Sequence, residues 1–166
     1  MSQILDGPRS IGQPQSNDDP RRLVFSCCHP ALSRDEQVAL TLRHVAGIET
    51  GAIARALHVP ETTIAQRLRS ATRRIHDDAI YSMPESVDLP ARLDEMVAVL
   101  GVIFSEGYAA SSEDRLDGSD LAFDAEWMTW LVAQLIPGEP KLLGLLASIQ
   151  TCHGQATTMT TPGAPR

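Results

Sequence analysis

Between Glu61 and Asp77 the chain reads ETTIAQRLRSATRRIHD. Four arginines (Arg67, Arg69, Arg73, Arg74) stand there with Gln66 and the hydroxyls of Thr62, Thr63 and Ser70. Ile64, Leu68, Ala71 and Ile75 recur at spacings of four, three and four, which gives a helix one apolar face. A turn of about 100° per residue then points Thr62, Gln66, Arg69, Ser70 and Arg73 outward, with Arg67 and Arg74 on one flank. Arginine suits guanine and phosphate, glutamine suits adenine, and hydroxyls meet base edges or phosphate. Thr62 and Thr63 fall near the helix N-terminus, where backbone N–H groups favour phosphate. Five of the fourteen basic residues lie between Gly51 and His76, opposed there by Glu61 alone. That window carries +4 in a chain of net charge −7. A basic helix on an acidic chain points to an anionic partner, nucleic acid first. The plainer alternative is an amphipathic helix with solvated arginines. The agreement of turn, apolar register and charge favours DNA.

Other reactive residue types carry less. Cys27-Cys28-His29 invites a metal, but adjacent cysteines cannot easily share one tetrahedral ion, and Cys152-His153 is remote in sequence. Buried small hydrophobes ending a helix are the simpler reading. Glu106 in the run Phe104-Ser-Glu-Gly-Tyr108 has no His, Cys or second carboxylate in local register. Capping of a helix–loop transition explains it better than general-base chemistry. Trp127 and Trp130 read as core or interface residues. No catalytic residue, metal ligand or cofactor is expected.

The arginine helix needs elements to hold it. Thr50 reads as the cap of a short helix whose buried stripe is Ile53, Ala54 and Leu57. His58-Val59-Pro60 is a turn, and Pro60 or Glu61 opens the second helix. Two helices joined by a three-residue turn make a helix-turn-helix. Upstream, Pro20 can open a helix over Arg21–His29. Ser33 with Glu36 forms a capping box for Arg34–Ala46, which buries Val38, Leu42 and Val45 and stops at Gly47. Downstream, residues 78–90 read as a linker. Leu93, Met96, Val97, Leu100, Ile103 and Phe104 form a helical stripe stopping near Gly107, and Ser111–Gly118 reads as a polar loop. Ser119 or Asp120 caps a segment buried through Leu121, Ala125, Met128, Leu131, Val132 and Leu135. Lys141–Gln150 is a last apolar helix. Residues 1–19 read as a disordered tail or the end of a linker, and 151–166 as a disordered tail.

Bulk properties narrow the class. An apolar content of 43% supports a packed core, while 4% aromatics leaves the packing to aliphatic residues. No apolar run reaches the roughly 18 residues of a membrane span, and the N-terminus lacks the pattern of a signal peptide. Three cysteines, two of them adjacent, make no disulfide framework. A reduced, cytoplasmic protein is expected.

The stretch from Asp19 to Ile75, above all VALTLRHVAGIETGAIARALHVPETTIAQRLRSATRRI, resembles region 4 of extracytoplasmic-function sigma factors, which binds the promoter −35 element. FSCCHPALS, FSEGYAASS and PGEPKLLGLLA resemble the subgroup with a tetratricopeptide-like helical C-terminal extension. The resemblance covers about residues 19–150. It implies DNA contacts from Ala65, Gln66, Arg69 and Ser70, and RNA polymerase core as a partner. Ala65, Ser70 and Thr72 stand where many members of that class have basic residues. Such factors also carry a region 2, which residues 1–18 are too short and polar to supply, so a truncated or fragmentary form is expected.

The expectation is therefore an all-α, two-lobed chain. A region-4-like helix-turn-helix module of three to four helices (20–77) precedes a partial helical-hairpin extension (91–150). Its function would be promoter −35 recognition in bacterial transcription initiation. Roughly four to five phosphate-reaching arginines would give a log–log salt slope near −4. The alternative is a protein-interaction module with a vestigial helix-turn-helix. Apolar surface on the extension would favour self-association.

Overall fold

The computed structural model describes residues 19–78, 83–112 and 116–158, and among them all regular secondary structure is helical. Seven α-helices follow one another: α1 (Pro20–Cys27), α2 (Arg34–Leu40), α3 (Thr50–Ala56), α4 (Glu61–Asp77), α5 (Leu89–Ser112), α6 (Leu116–Leu135) and α7 (Pro140–Thr158). A π turn, Thr41–Val45, prolongs α2. No helix among the described residues is long and apolar enough to cross a membrane.

Local chemistry sets most boundaries. Asp19 caps α1 by accepting from the Arg21 N–H at 3.0 Å, and Pro20 takes the first helical position. Ser33 and Glu36 close the expected capping box on α2. Gly47, at φ 70°, turns the chain beyond the π turn, and the Ile48 N–H reaches back to the Leu42 carbonyl at 3.0 Å. The α3–α4 turn rests on His58, whose φ of 55° lies in the left-handed region. That conformation brings the Val59 N–H to the Ala54 carbonyl at 3.1 Å, a closure of the kind that ends helices.

Several boundaries differ from the sequence reading. Thr50 is the first residue of α3 rather than its cap, because the Glu49 carbonyl already accepts from Ile53 N–H at 3.0 Å. α5 begins inside the expected linker, at Leu89, since Pro90 is tolerated in a first turn. It also runs past Gly107 to Ser112, and α6 begins at Leu116 rather than at Ser119 or Asp120. Ser111, Ser112 and residues 116–118 of the expected polar loop are helical, while 113–115 lie outside the described residues, as do 1–18, 79–82 and 159–166. α7 does not stop at Gln150 but continues through the expected tail to Thr158. Its polar end is held from the side: His153 Nδ1 lies 2.6 Å from Glu126 of α6, and its ring packs on Phe104 and Phe123 at centroid distances of 5.5 and 5.0 Å.

The two expected lobes share one core. α1, α2 and α3 pack on the α5–α6 hairpin, and the buried side chains form one cluster running from Phe25, Leu42 and Ile64 to Met96, Ile103 and Met128. Arg92 of α5, 8% exposed, donates from Nη2 to the Phe25 carbonyl at 2.6 Å. Arg34 and Gln37 of α2 both reach Glu95 of α5, each at 3.2 Å. α6 is buried on two sides, so Ala122, Thr129 and Ala133 join the expected stripe. At Gly107 the α5 backbone comes so close that a Cβ there would lie 2.5 Å from the Ala122 nitrogen of α6. The FSEGY motif is thus a helix crossing, and Glu106 beside it is exposed.

Candidate nucleic-acid interface

α4 is the second helix of the helix-turn-helix, and its inner face is the expected one. Ile64 and Ala71 are fully buried, and Leu68 and Ile75 pack against the same core. This fixes which side of the helix is open. Thr62, Gln66, Arg69 and Arg73 are all exposed. Arg69 and Arg73 line an open depression with Leu68, Thr72, His76 and Asp77. Sequence reasoning omitted His76, although it follows Arg69 and Arg73 at helical spacing along the same strip.

The remaining sequence-chosen residues lie elsewhere. Thr63 and Ala65 are half-buried. Arg67, Ser70 and Arg74 form a second strip that faces the N-terminal turn of α2. Arg67 pairs with Asp35 at 2.8 Å. Ser70 donates its hydroxyl to Glu36 Oε1 at 2.6 Å. Arg74 donates to the Ala31 carbonyl at 3.0 Å and lies 3.9 Å from Glu36 Oε2. The structure therefore brings Thr62, Gln66, Arg69 and Arg73 together on the open face and turns Ser70 inward toward a carboxylate.

Glu36 is the hub of that second strip. Only 6% exposed, it accepts the Ser33 N–H at 2.8 Å as well as the Ser70 hydroxyl. Burial opposes its ionisation, but the bonds from Ser70 and Ser33 and the nearby Arg74 outweigh burial and hold the carboxyl below its ordinary value. Cys27 and Cys28 are buried behind this surface. Desolvation pushes the Cys28 thiol up to about 12 despite the contact with Thr41, and Cys27 is raised as well. Protonated, buried thiols suit core packing rather than metal ligation.

An exposed strip of Thr, Gln and two Arg on a helix behind a tight turn can enter a major groove, reading base edges with Gln66 and the arginines. Comparison with known proteins agrees with that geometry. Residues 22–75 match the family described as sigma-70, region 4, and residues 92–161 match a family of unknown function, DUF6596. An uncharacterized protein of Rhizobium meliloti (strain 1021) is 36% identical over 140 residues, 84% of this chain and 33% of the relative. The chain thus spans about a third of the length of that relative. No solved structure matches the chain. Residues 22–75 thus carry a sigma-70 region 4, packed on a helical segment that matches DUF6596, an arrangement consistent with the resemblance to extracytoplasmic-function sigma factors with a helical C-terminal extension.

Proposed function

We propose that the chain binds the −35 element of bacterial promoters in transcription initiation, with α4 in the major groove and RNA polymerase core as partner. The observation that carries the reading is the placement of Thr62, Gln66, Arg69 and Arg73 on the one open face of the region-4 helix. Gln66 is at a base-reading position, and Arg69 beside it has both base edges and phosphate within reach. Arg73 and the N-terminal turn with Thr62 and Thr63 sit at the groove edge, where phosphates run. Ala65 borders the same face and offers a methyl to a thymine.

Salt dependence tests the reading. Each neutralised phosphate contributes about −0.9 to the log–log slope, so Arg69 and Arg73 alone give roughly −2, and all four α4 arginines roughly −4. Fluorescence anisotropy on a duplex selected by the protein from a random pool should give a slope near −2. Arg69→Ala with Arg73→Ala should nearly flatten it and abolish selection. Salt-insensitive binding by the wild type, or an undiminished double variant, would sink the proposal.

A further inference from the structure

Ser70 stands on the DNA-facing side of a helical wheel, yet its hydroxyl is committed to Glu36 at 2.6 Å. It is not an isolated contact. Arg67 to Asp35 lies one turn before it and Arg74 to the Ala31 carbonyl one turn after it, so the strip is anchored at three levels along α4. All three receptors belong to the segment that starts α2. Glu36 is itself fixed by the α2 capping box, through its bond from the Ser33 N–H.

The inner face of α4 alone is a weak determinant of roll. Ile64 and Ala71 are fully buried but Leu68 and Ile75 only partly, and apolar contacts are non-directional. Hydrogen bonds to a buried carboxylate are directional and short. A rotation of α4 that turned Ser70 toward DNA would break the Glu36 bond and leave a buried carboxylate short of a donor, which is costly.

We infer that Glu36 is a positioning residue for promoter reading: through Ser70 it sets the roll of α4, committing Arg67, Ser70 and Arg74 to α2 and presenting Gln66, Arg69 and Arg73 to the duplex. This rests on the DNA-binding reading above. The substrate-side consequence is that Ser70 contributes to sequence preference without touching a base.

Ser70→Ala, Glu36→Ala and Glu36→Gln separate the possibilities. The readout is the ratio of affinities for the selected duplex and a random duplex of equal length. Both alanine variants should lose roughly tenfold in that ratio, about the worth of one misplaced base contact, while affinity for the random duplex holds. Glu36→Gln should recover most of the ratio, because an amide still accepts from Ser33 and bonds Ser70. Loss in Ser70→Ala with an unchanged ratio in Glu36→Ala would mean that Ser70 itself reads DNA, and would overturn the inference. A thermal double-variant cycle runs without DNA. The Glu36→Ala/Ser70→Ala protein should melt within about 1 °C of the less stable single variant, because the two groups serve one contact. Additive losses overturn the inference even if the wild type binds no duplex, an outcome that would separately end the DNA-binding reading.

Discussion

Replacing Gly107 by alanine tests the close approach of α5 to α6. The added Cβ would lie 2.5 Å from the Ala122 nitrogen and 2.9 Å from both Ala122 Cα and the Leu121 carbonyl carbon. All three atoms are α6 backbone, so no rotamer change relieves the contact, and the helices must part by roughly 1 Å to restore normal packing distances. The neighbours Ile103, Leu121 and Ala125 are buried, so that separation opens gaps in a packed layer. Overpacking of this kind costs about 1–3 kcal/mol. Alanine is favoured over glycine within a helix by about 1 kcal/mol, which offsets part of it. Gly101 supplies the control: it lies in the same helix, and a Cβ there meets nothing within 4 Å. Gly101→Ala should gain the helix preference alone. The two variants should therefore differ by about 1–3 kcal/mol, or roughly 3–10 °C in Tm for a chain of this size. Melting followed by far-ultraviolet circular dichroism is the assay. A Gly107→Ala protein that melts as high as Gly101→Ala would refute the close crossing and with it the explanation of the FSEGY motif.

Two further outcomes follow from the titrating groups. Cys27 and Cys28, buried and with raised thiol pKa values, should resist a thiol reagent in the native protein, whereas the half-buried Cys152 reacts first; denaturant should expose all three, and rapid native labelling of Cys28 would contradict its placement. Acid should destabilise the fold in two windows. His29 is held below its ordinary 6.5, chiefly by burial and then by Arg92, and its Nδ1 accepts from the Ala31 N–H at 3.1 Å. Its contribution is present above 6.5 and is lost as pH falls through the folded-state value. Glu36, held below 4.5, contributes above 4.5 and loses that contribution at lower pH. Denaturant titrations from neutral pH to about pH 3 should show both losses, and Glu36→Gln should flatten the lower one only; an unchanged acid limb in that variant would count against the ionised Glu36.

The legible parts of the fold were those written in local chemistry. Pro20, the Ser33–Glu36 box, Gly47 and the four-three-four apolar spacing of α4 all specify their neighbours within one or two helical turns, and the structure uses each of them. What the sequence hid was set across the fold. Thr151–Thr158 is polar and reads as tail, but His153 finds Glu126, Phe104 and Phe123 on two other helices. Gly107 reads as a helix stop, yet it is a contact point whose partner lies 15 positions on in the chain. The same limit applies at the interface. A helical wheel gives the direction of Ser70 but not what stands there, and α2 stands there. Gln66, Arg69 and Arg73 could be read correctly as exposed because, among the described residues, no element covers that side of α4.

The junction through Arg92, Glu95 and the shared core has a consequence for observing the molecule. Both tryptophans, Trp127 and Trp130, lie on α6, far along the chain from the arginine helix. In a chain whose halves unfold together, a ligand that grips only the folded form stabilises every part of it by the same amount. An unfolding transition followed by tryptophan emission therefore registers a ligand at α4 as a raised midpoint, without any label there. Where a ligand on the extension changes the affinity of α4 for its own ligand, the α4 ligand changes the affinity of the extension by the same factor.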